Sequence, residues 1–104
     1  MLILGSVPFT ADPVRAEEHV VMILQSAYFP GRLEVEPGDT VRFVNASGRV
    51  HTVSSSEGIW TTGPIPIDAE VTLDFEAAMA GRFHGWAQGL IEGRLDILRS
   101  PPNP

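Results

Sequence analysis

This chain of 104 residues carries three histidines, His19, His51 and His84, and no cysteine. Imidazole nitrogen is a ligand for Cu(II), Ni(II) and Zn(II), whereas the absence of cysteine removes thiolate nucleophiles, disulfides and thiolate-bound metal together. Met79 adds a thioether, a soft donor for Cu(I) by residue type, although its place just before Gly81 also suits a packing residue. If the chain is cleaved after Ala16, it begins Glu17-Glu18-His19. A free amine with histidine third can wrap Cu(II) or Ni(II) in a square plane through the amine, two amides and the imidazole. The plainer reading of His19 is a polar residue that opens a strand. There is no Ser-His-Asp spacing and no hydrolase-type histidine pair. The acid pairs Glu34/Glu36 and Asp74/Glu76 sit opposite apolar strand faces and are solvated rather than catalytic. The residues therefore argue against an enzyme. Trp60 and Trp86 suit either an exposed aromatic patch for a partner or covers for the rim of a core.

The length fits one domain, and a hydrophobic share of 43% is enough for a packed core. Thirteen acids oppose seven bases, all of them arginine, for a formal charge of -6. Such a balance, with no basic run, argues against binding nucleic acid or an anionic membrane. Residues 1–16 open on an apolar run (MLILGSVPF) and end Val14-Arg15-Ala16, which reads as the end of a secretory leader or as an untidy extension. Export to the periplasm or outside the cell is expected, with no membrane insertion after processing. Residues 17–99 form the domain, and the Pro-rich tail 100–104 cannot continue a sheet.

These residues have to be positioned by strands. Val20 to Leu24 is apolar on both faces, as in a strand buried in a sandwich. Leu33 and Val35 alternate with Arg32, Glu34 and Glu36, and Val41 and Phe43 alternate with Thr40 and Arg42. Pro37-Gly38-Asp39 between them is a turn, with proline presetting φ and glycine accepting positive φ. Val50 to Val53 reads as a short strand, and residues 54–68 as a long connection. Val71, Leu73 and Phe75 alternate with Thr72, Asp74 and Glu76, and further strands begin at Phe83 and near Leu95. Ala77 to Ala80 allows one helical turn, stopped by Gly81. Seven to eight short strands without a helical period argue an all-β sandwich or small barrel.

The order of these features resembles the cupredoxin family of plastocyanin, amicyanin and pseudoazurin. The resemblance rests on Phe29-Pro30, on Val35-Glu36-Pro37-Gly38-Asp39-Thr40-Val41-Arg42-Phe43-Val44-Asn45, on His51-Thr52-Val53, on Val71-Thr72-Leu73-Asp74-Phe75 and on Gly81-Arg82-Phe83. It spans about residues 19 to 98 and implies a Greek-key β-sandwich. It also implies that His51 stands at the first histidine-ligand position. In the family a cysteine, a second histidine and a methionine follow in the last loop. Here Ala87 falls at the cysteine position when counted from Gly81, and Gln88 and Ile91 fall at the other two when counted back from Gly93. The loop is therefore shortened as well as stripped of ligands, and a type 1 (Cys) copper site is not expected.

Three readings follow. The first is an exported copper-binding protein for copper handling rather than electron transfer, with His51 as its main ligand, helped by His84, His19 or Met79, and with the copper ion or a copper-handling protein as partner. The second is a metal-free interaction module that binds a partner around Trp60, Trp86 and the 54–68 connection. The third is the family's electron transfer. Pleating already weighs against a His51–His84 pair, because an inward Phe83 turns His84 outward.

Overall fold

Alternation of side chains between core and solvent marks most of the strands of this molecule. The computed structural model describes residues 16–85 and 91–98. Among them nine strands follow one another: β1 (Glu18–Ile23), β2 (Tyr28–Phe29), β3 (Arg32–Val35), β4 (Thr40–Asn45), β5 (His51–Ser55), β6 (Thr61–Ile65), β7 (Glu70–Asp74), β8 (Gly81–Gly85) and β9 (Glu92–Ile97). One 3-10 turn over Ala77–Met79 joins β7 to β8, in the stretch where the sequence allows a single helical turn. The strands form two sheets, ordered β2-β1-β4-β7 and β3-β9-β8-β5-β6. Both are mixed: β1 runs parallel to β4 and β3 parallel to β9. The all-β sandwich expected from the sequence is the fold observed.

The sheets face each other across one apolar core. Val21 and Ile23 of β1, Val41 and Phe43 of β4, Val35, Val53, Ile65, Phe75, Phe83 and Leu95 are all buried. Rings meet edge to face at its centre, with Phe43 and Phe83 at 5.6 Å between centroids and Tyr28 and Phe83 at 4.8 Å. Gly93 makes this possible, because a Cβ there would collide with the Phe83 ring.

Two strands escape the sequence pattern. β2 is only two residues long. β6 lies inside the 54–68 segment read as a connection; its Thr61-Thr62-Gly63-Pro64-Ile65 run does not alternate and holds a glycine at φ 69° and a proline. Proline can sit there because β6 is an edge strand, and its pairing with β5 shifts register between Thr52 and Ser54.

Asn45, fully buried at the end of β4, ties the loops at one end of the sandwich. Its amide donates to the carbonyls of Arg49 at 2.8 Å, Ile65 at 2.9 Å and Pro66 at 3.1 Å. Its Oδ1 accepts from the Ser47 amide and hydroxyl, at 3.0 and 2.6 Å. Asn45→Ala strands several buried polar groups and is expected to lower stability by on the order of 3 kcal/mol. Urea denaturation with an unchanged m value would read this directly.

Candidate functional site

His51 opens β5 at the Asn45 end, and the pleat turns it inward with Val53 and Ser55. The side chain is almost completely buried, with 4% of its surface exposed. Its Nε2 shares a 2.9 Å hydrogen bond with the Tyr28 hydroxyl, and the two rings meet edge to face. Beneath them lies Gly85, the last residue of β8. A Cβ at Gly85 would collide with Cε1 and Nε2 of His51 and with the Tyr28 hydroxyl. The imidazole thus occupies space that any other residue at 85 would claim. Burial disfavours charge on both partners: it lowers the His51 pKa below the usual imidazole value and pushes the Tyr28 phenol up. The pair is a neutral imidazole and a neutral phenol at pH 7.

The other sequence candidates do not converge on His51. His84 points out through the opposite face of its sheet, where Nδ1 meets the Ser56 hydroxyl at 3.2 Å. Met79 lies beyond the start of β8, about 13 Å of strand away from Gly85 at ~3.3 Å per residue. Its sulfur accepts the Glu76 amide, and its side chain packs against the core. Trp60 is also at that far end, where its carbonyl accepts the Ser55 amide. Its indole stacks on Phe43 and donates to the Met79 carbonyl at 3.0 Å, so it covers the core instead of standing as an exposed patch beside His51. Ile91, at the family's methionine position, packs on the core. Trp86, Ala87 and Gln88 lie outside the described residues.

His19 stands at the far end as well. It is part of extended β1, with the Glu17 carbonyl bonded to the Thr40 amide. A square-planar wrap by Glu17, Glu18 and His19 would require this end of β1 to leave the sheet. The ring instead reaches Asp39, Nε2 to Oδ2 at 2.9 Å.

A type 1 copper centre needs a thiolate, two imidazoles and a weak axial donor on one point. The chain has no cysteine, the His51 ring is engaged by Tyr28, and neither His84 nor Met79 approaches it. The described residues do not fit that group.

No family model matches the sequence, and no curated protein does. Solved structures match well. A proline-to-glycine variant of oxidized amicyanin aligns with TM-score 0.66 and 26% identity over 88% of this chain and 91% of its own. Native pseudoazurin from Hyphomicrobium denitrificans aligns with TM-score 0.55 and 20% identity, covering 77% and 74%. A purple cupredoxin from Nitrosopumilus maritimus aligns with TM-score 0.60 and 17% identity, covering 77% and 99%. The fold is that of the cupredoxins. Within this cupredoxin fold the absence of cysteine is consistent with a degenerate copper site.

Sequence reasoning singled out His51 but missed its partners. Tyr28 was hidden in an interruption between strands, and Gly85 carried the one available signal, a glycine inside a strand marking close approach. Two outcomes are expected. Gly85→Ala should cost about 1–3 kcal/mol through forced displacement of the buried pair, read as a lower urea midpoint. Because the folded His51 binds its proton less readily than the unfolded one, its contribution is complete above about pH 6.5 and declines as the pH falls below that value. His51→Gln keeps a partner for Tyr28 without titrating, so its melting temperature should fall less than that of the parent between about pH 6.5 and 5.

Proposed function

We propose that this protein is an exported, non-redox binding module on a cupredoxin scaffold, and that it receives a protein partner at the Asn45 end. The observation that carries this reading is the commitment of His51, the residue at the family's ligand position, to a buried hydrogen bond with Tyr28 over Gly85. The side chain there supports the fold in place of a thiolate centre. The surroundings suit docking. Leu24, Val50 and Ile67 are 40%, 54% and 53% exposed. Val50 and Ile67 each adjoin a residue whose carbonyl accepts from the Asn45 side chain, Arg49 and Pro66, and Leu24 follows Ile23, whose carbonyl accepts the Ala46 amide. Three exposed apolar side chains thus lie next in sequence to segments that meet around Asn45, an arrangement that favours burial against another protein surface. The reading involves no catalysis. Export is supported by the apolar opening of the chain. Among the described residues no helix is long and apolar enough to cross a membrane.

Copper handling at His51 is the second reading, and what favours it is the neutral imidazole at a family ligand position. Titration of the full chain with Cu(I) and Cu(II) separates the two. The module predicts that His51→Ala leaves the copper affinity unchanged. A loss of affinity of about tenfold or more in that variant, about 1.4 kcal/mol, would return copper to His51. The docking end is tested separately with a photoreactive residue at position 67 and a control at position 72, on the outer face of β7. Specific adducts with one protein in the source cells are expected from position 67 alone, and equal labelling from both positions argues against the docking end.

A further inference from the structure

The end of the sandwich opposite Asn45 gathers three side chains that neither the core nor the docking end uses. Glu17, His19 and Asp39 bring their donor atoms within 4.8 Å of one another. Glu17 and His19 are two residues apart where β1 begins, so the pleat sets them on one side of the chain. Asp39 comes from the Pro37-Gly38-Asp39 turn before β4. The parallel pairing of β1 with β4, which sets Glu18 opposite Thr40, brings the two segments together.

The donors are unequal in freedom. Asp39 is held: Oδ1 accepts the Glu17 amide at 2.9 Å, and Oδ2 accepts the Glu36 amide at 3.1 Å. Burial alone would raise its pKa, but these two amides and the His19 ring outweigh that and keep the group ionised below the usual carboxylate range. The His19 Nε2 lies 2.9 Å from Asp39 Oδ2 and 3.9 Å from Glu17 Oε1. The Glu17 side chain is 72% exposed and free to close that gap.

Two carboxylates converge here on one imidazole, and among the described residues no arginine pairs with them. Arg42 of β4 faces the other side of the sheet and pairs with Glu18 and Glu70. Convergence of like charges is unfavourable unless a cation offsets it. Ligand atoms bound to one metal at about 2.0–2.2 Å stand about 2.9–3.5 Å apart. The His19–Asp39 pair already has that spacing, and Glu17, 3.9 Å from the His19 Nε2, needs a shift on the order of 1 Å, within rotamer freedom. An imidazole with two carboxylates, and no sulfur, selects divalent transition metals such as Zn(II) and Cu(II). Backbone amides on the ligating carboxylate supply the outer-shell support such sites use.

We propose that Glu17, His19 and Asp39 form a Zn(II)- or Cu(II)-class site with positions open to water, seaming the start of β1 to the turn before β4. It is independent of the function proposed above, since His51 lies at the other end. It also differs from an amine-anchored wrap, because only side chains ligate and any start before Glu17 preserves it.

The test is titration of the full chain with Zn(II) and with Cu(II), read by calorimetry and by the shift in melting temperature. One metal ion per chain is expected, with a raised melting temperature. Loss of even an outer-shell partner weakens a metal site about 10–100-fold. His19→Ala and Glu17→Gln should therefore each weaken binding at least tenfold, while His51→Ala and His84→Ala leave it unchanged. Asp39→Asn puts the turn itself at risk. Glu17→Gln is the cleaner variant, because it keeps the amide bond and the His19–Asp39 bond and should leave the metal-free melting temperature unaltered. In the Cu(II) form, electron paramagnetic resonance should report one imidazole nitrogen in an otherwise oxygen set. Absence of one-to-one binding, or binding indifferent to both His19→Ala and Glu17→Gln, overturns the site.

Discussion

The His51 imidazole fills the space above Gly85, and much of the chemistry at that end follows from this packing. The ring fits only because residue 85 has no side chain. The gap is closed by a ring from β5 and a phenol from β2, which satisfy each other's polar atoms through one hydrogen bond. A buried polar group without a partner is costly, and here the partner comes from the facing sheet. His51 thereby fastens the two layers together.

This gives the sandwich two differently built ends. At one, Asn45 binds three carbonyls and a serine and so ties the loops together. At the other, Trp60 lies over Phe43 and Phe83 as a lid, and Asp39 gathers two amides and an imidazole. The outer face of the five-stranded sheet is laid out in rows of charge. Arg32, Arg94 and Arg82 stand in register across β3, β9 and β8, with Asp96 accepting from the first two at 2.6 and 2.7 Å. Like charges opposite one another weaken a sheet, and the shared carboxylate offsets part of that.

Much of the fold was legible from the sequence because a half-buried strand has a period of two, and a side chain's face follows from counting. Leu33 and Val35, Val41 and Phe43, and Phe83 against His84 all sit as alternation places them. β6 was illegible for the complementary reason. An edge strand carrying Gly63 and Pro64 has little apolar face to repeat, and its ladder depends on β5 being beside it. Trp60 shows the same limit: residue type allows an exposed patch or a core cover, and only the neighbouring rings decide between them.

By itself the sequence determined the chemistry that is available. The lack of any sulfur but thioether rules out a thiolate centre whatever the fold does, because covalent composition does not depend on conformation. It determined too that strands and turns would build the chain, since those preferences are local. Tertiary structure alone decided which donors meet. His51 joins Tyr28, and His19 joins Asp39, across separations of about twenty residues that no local pattern encodes. The physical reason is that sheet order and strand register, fixed by burying the whole core at once, set those distances.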